Sequence, residues 1–435
     1  MKKSLLILLF SLTITIAYSQ AWDSLGRWDS YISTFIAYNN TLFIGGDFTR
    51  VNATSTDASF TATWDGYTLT PNYDPYNVGG AGFVSFAIYD TNLYGGGTCN
   101  TQDGGAGALE WNGTTWYNAA LFVNTNVNAL ASFGGYLWVG GDFTSAGSAT
   151  SPYIAQYSDQ TYTYTNAGSG FDASVGSLQV YNNELYAAGS FTKSDTVTTT
   201  TIAKWNGTYW EAVGTGVTGG IYDMAVFNNE LYVIGNITAA GGTPVSNIAK
   251  WNGTQWSAVG TGITSGINQA RCVASDDNFL YVGGDITAAG GTAVSNVAKW
   301  DGNTWSAIGA GIPNEIIIAL YSWNGTVYAG LDYDYTGTNS NRLRTFNISS
   351  LTATTSSSSS SAYTIYPNPA KDQITIASSS VTAANLSYSI ADLSGRVLIN
   401  GTTGSTINTS ALDEGIYFVK LQNGNETCVQ KLIIE

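Results

Sequence analysis

Three aspartates, Asp47, Asp142 and Asp285, each stand directly after a glycine pair, and Ser190 and Asn236 take the same place in two further copies of that pattern. A carboxylate recurring in this way could build a ring of metal or substrate ligands, and oxygen donors of this kind would take calcium. The exchange among Asp, Asn and Ser equally suits turn-forming side chains that bond their own backbone. A denser set of oxygen-bearing residues interrupts the regular pattern: Tyr73, Asp74 and Tyr76, and later Asp332, Tyr333, Asp334 and Tyr335. Aromatic faces interleaved with carboxylates suit stacking on sugar rings or calcium-assisted binding of a glycan, with packed loop residues as the alternative. The chain has no histidine. That removes histidine-based triads, histidine general acid–base chemistry and histidine ligation of zinc or copper. Cys99, Cys272 and Cys428 have neither zinc spacing nor the look of a disulfide framework, and they read as structural. Two functions stay open: a non-enzymatic binding module, and a carboxylate-dependent, calcium-assisted hydrolase or lyase of polysaccharides. The lack of any recognisable catalytic constellation favours the first.

The elements that position these residues repeat. Leu42-Phe43-Ile44-Gly45-Gly46, Leu137-Trp138-Val139-Gly140-Gly141 and Leu280-Tyr281-Val282-Gly283-Gly284 are three of seven apolar strands that run into a glycine pair or a close substitute, with starts 44 to 51 residues apart. A period in that range with several strands per unit marks a propeller blade, which cannot bury its own faces. Leu231 to Gly266 and Leu280 to Asn314 show the whole unit: a strand ending at the glycines, a Gly/Ala/Thr loop, a strand ending at Trp251 or Trp300, a tight turn, and a strand opening at Trp256 or Trp305. A further apolar segment precedes each, so the unit has four strands. Asn252-Gly253 and Asp301-Gly302 supply the positive φ that tight hairpins demand, and this accounts for the Asn-Gly-Thr sequences without glycosylation.

The last repeat, from Ile316 on, has a poor fourth strand, while the segment from Ala21 to Gly26 matches a fourth strand with nothing before it. Residues 21–26 are therefore expected to complete the seventh unit, burying Trp22 and closing the ring. Closure would place the irregular Tyr/Asp loops in one sector of the rim where the long links emerge.

Charged residues make up 10% of the chain and the formal net charge is −15. This balance argues against nucleic acid or an anionic membrane as partner. Met1-Lys2-Lys3 followed by the apolar run Leu5 to Ala17 reads as a signal peptide over 1–19, and no other stretch is long and apolar enough to span a bilayer. The serine run Ser356 to Ser361 lies in a linker over 351–362. Beyond it, alternating segments predict a small β-sandwich.

The order of strands, glycine pairs and Trp-headed outer strands over 20–350 resembles kelch-like propellers. Tyr366-Pro367-Asn368-Pro369, Gly395-Arg396, Gly415 with Tyr417, and Lys431 resemble the C-terminal sorting domain of type IX secretion cargo in Bacteroidota, over 363–435. The expected fold is all-β: a seven-bladed propeller closed by an N-terminal strand, plus an Ig-like sandwich. The resemblance implies export to the medium or the cell surface, with the secretion machinery as a partner. It leaves the propeller's ligand open.

Overall fold

The computed structural model describes residues 21–52, 58, 60–72, 82–100, 106–117, 122–194, 197–332, 341–348, 363–378, 386–391, 397–403, 406–413, 415–423 and 426–434. The predicted signal peptide and serine linker lie outside the described residues. All regular structure among them is β, and the chain divides into two units, Met1–Asn347 and Ile348–Glu435.

Among the described residues of the first unit, seven antiparallel sheets of at least four strands follow one another, with one additional two-stranded ribbon. Their first strands are Ile32–Tyr38, Phe83–Tyr89, Val127–Phe133, Val175–Tyr181, Val217–Phe227, Ile263–Ser275 and Ile317–Trp323. Each lies against the next, and the seventh lies against the first. Tyr321 Oη accepts from the Ala37 amide at 3.1 Å across that last junction. The strand Asp23–Ser24 pairs with Leu343–Asn347, so the N-terminal segment supplies the seventh sheet's outer strand.

Glycine pairs permit this packing for two separate reasons. A Cβ on Gly140 would lie 2.6 Å from a methyl of Val175 in the next sheet, and one on Gly141 would lie 2.0 Å from the carbonyl oxygen of Asn126 in its own sheet. The first glycine lets sheets approach and the second lets the strand pass its own neighbour. Between first and second strands, Asn228-Asn229 and Asn182-Asn183 both hold positive φ, as tight hairpins of this hand require. The third-to-fourth turns are tight hairpins of another form. Four residues, 252–255, separate Trp251 from its partner Trp256, and Asn252 Oδ1 accepts the Thr254 and Gln255 amides at 2.9 Å. Here only Gly253 has positive φ.

Another expectation is revised in the fifth and sixth sheets. The Gly/Ala/Thr segments there are ladder rather than loop: Val217 pairs with Ala240 and Ile263 with Ala289. Their small polar residues tolerate extended pairing, so both sheets lengthen toward the rim.

The second unit packs Tyr363–Tyr366, Gln373–Ser378 and Thr406–Asn408 in one sheet and Val397–Thr403, Leu386–Ala391, Gly415–Asn423 and Glu426–Ile434 in another. Ile374, Ile376, Ile407, Val419, Leu421 and Leu432 fill one shared core. Asn368 Oδ1 accepts the Ile433 amide at 2.9 Å, and the buried Tyr417 donates its hydroxyl to the Asp413 carbonyl at 2.8 Å. Gly415 pairs with Ile434, and Lys431 lies in the last strand opposite Phe418. Gly395 and Arg396 lie outside the described residues.

Candidate functional site

Every first strand of the ring carries a bulge at the same height. The register slips between Ile32 and Thr34, Phe83 and Ser85, Val127 and Ala129, Val175 and Ser177, Ile221 and Asp223, Ala270 and Cys272, and Ile317 and Ala319. A bulge re-aims the extra residue and bends its strand. Those extra residues, Ser33, Val84, Asn128, Gly176, Tyr222, Arg271 and Ile318, all line a central cavity of about 270 Å³. They share a backbone position and no chemistry. Variation concentrated at one structural position is what a ligand-facing ring would show.

The residues after the bulge latch neighbouring sheets together. Ser85 Oγ accepts the Leu130 amide at 3.0 Å, and Asp223 Oδ2 accepts the Val273 amide at 2.9 Å. Burial pushes the Asp223 carboxyl up to about 6, against the pull of the Val273 and Met224 amides and Ser177. Cys272 is buried in the same ring with its Sγ 3.8 Å from the Ile317 carbonyl, so its role is packing.

Above this ring Tyr222, Ile267, Gln269, Arg271 and Ile318 surround a cavity of about 530 Å³. A larger slip between Ser265 and Ala270 lifts this part of the sixth sheet's first strand out of register and leaves Ile267 94% exposed. Tyr222 donates its hydroxyl to Gln269 Oε1 at 2.7 Å. Arg271 Nη1 lies 3.7 Å from Asp332 Oδ2, and Arg342 donates to the Asp332 carbonyl at 3.0 Å.

Asp332 also joins the aspartate series. Its amide donates to the Ile316 carbonyl at 3.0 Å, as Asp47 does to Tyr31, Asp142 to Asn126 and Ser190 to Ser174, each at 3.1 Å. Leu331 stands where the other repeats have the second glycine, which hid this equivalence from the spacing. Burial first, and then the charges of both Asp47 and Asp332, raise the Tyr31 hydroxyl above its ordinary range. The seventh and first sheets thus meet at Tyr31.

Elsewhere the series acts as a staple. Asp47 Oδ1 accepts the Gly82 amide at 3.2 Å and Oδ2 accepts the Ser30 hydroxyl at 3.4 Å. Asp142 accepts from Asn126, Asn128 and Ser174 at 3.2, 3.0 and 2.5 Å. Asp285 packs against the Gly266 backbone. Among the described residues no three acidic, cysteine or histidine side chains come together in a way that could hold a metal ion, Asp47, Asp142 and Asp285 included. Of the irregular loop residues only Asp332 is described; Tyr73, Asp74, Tyr76, Tyr333, Asp334 and Tyr335 lie outside the described residues. Sequence reasoning missed Tyr222 and Arg271, which nothing marks except the slip of register.

A ring of radially stacked four-stranded sheets is a β-propeller, here followed by a secretion-sorting domain. Residues 109–277 match the family model described as the Rax2 C-terminal beta propeller domain, and residues 364–435 match that of the secretion system C-terminal sorting domain. The sorting domain marks the chain for type IX secretion, to the cell surface or the extracellular space. Among solved structures, the chain is similar to the extracellular domain of a hybrid two component system from B. thetaiotaomicron, with 14% identity and a TM-score of 0.49, over 83% of this chain and 46% of that one. It is similar also to the computationally designed Ika8 protein, with 15% identity and a TM-score of 0.46, over 75% of this chain and 98% of that one. The chain thus spans less than half the length of the bacterial domain it matches. No curated protein matches it. No helix is long and apolar enough to cross a membrane among the described residues.

Proposed function

We propose that residues 20–350 form a seven-bladed, kelch-like propeller acting as a non-enzymatic binding or adhesion module for an extracellular glycan, delivered by the sorting domain over 363–435. The observation that carries this reading is the cavity of about 530 Å³ over the channel, with Tyr222, Gln269 and Arg271 in its wall. A tyrosine face stacks on a sugar ring, Arg and Gln donate to hydroxyls, and Asp332 beside Arg271 offers a fixed acceptor. Glycoside hydrolysis asks for something else, a protonated acid facing a second carboxylate across the scissile bond. Asp332, beside the cavity's Arg271, is instead engaged by its guanidinium.

Retention and cleavage should be scored together on a panel of soluble polysaccharides. Binding without product release, reduced about tenfold or more by Arg271→Ala or Tyr222→Ala, is the expected result, since about 1.4 kcal/mol is tenfold. Release of shortened chains would establish the hydrolase or lyase instead. Full retention in both variants would move the site off this mouth.

A further inference from the structure

A second cavity, of about 370 Å³, lies away from the channel and is lined by Asn92, Tyr94, Glu110, Tyr117, Asp159 and Tyr162, among others. Its floor is a charge reversal at a position that three other sheets use for lysine. Tyr186 faces Lys204 across the strands, Tyr232 faces Lys250 and Tyr281 faces Lys299. Each lysine is matched: Lys204 Nζ lies 2.7 Å from Glu184, Lys250 Nζ lies 2.7 Å from Glu230, and Lys299 Nζ sits 4.1 Å over the Phe279 ring. In the second sheet Tyr94 faces Glu110, and Asn92 stands where Glu184 and Glu230 stand. The local cation has become an anion.

Glu110 is 9% exposed, with Oε1 accepting Asn92 Nδ2 at 2.9 Å. Asp159 Oδ1 accepts the Tyr89 hydroxyl at 2.9 Å. No ion pair among the described residues engages either carboxylate. None could come from nearby sequence, because no lysine or arginine occurs between Arg50 and Lys193. Tyr94 lines the cavity, is fully buried, and its Oη has no hydrogen-bond partner within 3.5 Å among the described residues. Tyr117 and Tyr162, 40% and 66% exposed, also line the cavity. Burial first, and then Glu110, pushes the Tyr117 hydroxyl up to about 12.

We propose that this cavity binds a primary ammonium group, borne by an extracellular amine or by a lysine side chain, which takes the place of the missing lysine. An ammonium has three N–H donors, and Glu110, Asp159 and the idle Tyr94 Oη are three acceptors. Tyrosine faces add the attraction of their quadrupoles to a cation. A metal ion fits less well, since the site has two carboxylates and no group of three ligands. This site is independent of the channel mouth and of the glycan reading.

The test is calorimetric titration of the full-length protein with n-butylammonium chloride, sodium chloride holding ionic strength constant. Tetramethylammonium, which has no N–H, methyl glucoside, and an Nα-acetylated lysine amide are run alongside. Butylammonium should bind more tightly than tetramethylammonium, and Glu110→Gln should weaken it at least tenfold. A tighter lysine amide would point to protein side chains, and equal binding to free amines. Glu110→Lys places the lysine of three sister sheets in the cavity itself, so it should abolish binding. Absence of butylammonium binding, unchanged affinity in Glu110→Gln, or equal binding of methyl glucoside would overturn the proposal.

Discussion

Trp22 donates its indole N–H to the carbonyl of Ile308 at 3.1 Å, closing a series that runs around the outside of the ring. Trp210 donates to Ala167 at 3.1 Å, Trp256 to Val213 at 2.9 Å and Trp305 to Val259 at 3.3 Å. In each case the tryptophan heading one outer strand holds the chain that leaves the outer strand before it. Trp22 does this from the other end of the propeller sequence. Its ring also lies 5.3 Å from Phe346. Unlike Trp210, however, Trp22 is only half-buried.

Removal of residues 20–27 should lower the melting temperature sharply, because it uncovers the edge at Leu343–Asn347 and deletes this bond. Trp22→Phe isolates the bond itself and should cost about 1 kcal/mol. Trp22→Ala should fall at or below the low end of the roughly 3–5 kcal/mol typical of a buried tryptophan. Thermal melts of the three variants check the order. An unchanged melt in the deletion would refute closure by this strand.

Asp223 should impose a pH dependence. Its carboxyl is raised by burial from the ordinary carboxylate value of 3.8 to about 6 in the fold, so the folded state holds a proton that the unfolded chain releases between those values. Its contribution to stability is therefore full below about pH 4 and is lost as pH rises through 6. Asp223→Asn keeps an acceptor for the Val273 amide and cannot titrate. The difference in melting temperature between wild type and Asp223→Asn should change between pH 4 and 6 and be flat above 7; a constant difference would contradict the burial argument.

If Asp142 is a staple, Asp142→Ala should cost about 1 kcal/mol, through the lost Asn128 and Ser174 bonds. Calcium should then shift the melting temperature of wild type and variant equally. A calcium-dependent stabilisation confined to the wild type would restore the ligand role.

Truncation after Ser350 should leave a propeller that folds and binds as the full chain does but stays inside the native host. Asn368→Ala should loosen the last strand through loss of its bond to the Ile433 amide, reducing secreted yield. Secretion of the truncated form to the medium would contradict the sorting role.

The glycine pairs and the Asn-Gly and Asp-Gly turns made the repeat legible, because close sheet approach and positive φ leave few residue choices. The orphan segment at Trp22 likewise implied its partner strand. The channel mouth was not readable in this way. A bulge adds one residue without a characteristic type, so a two-residue alternation gives no sign that Tyr222 and Arg271 leave the ladder. Arg271 and Asp332 belong to different sheets and meet only through the packing of the ring. Glu110 looked like one more strand residue until register set it against Tyr94, in the place that three other sheets give to lysine. Local backbone demands are written in residue types; which charges face one another is decided by pairing across the sheets, since strand register sets every side chain's neighbours.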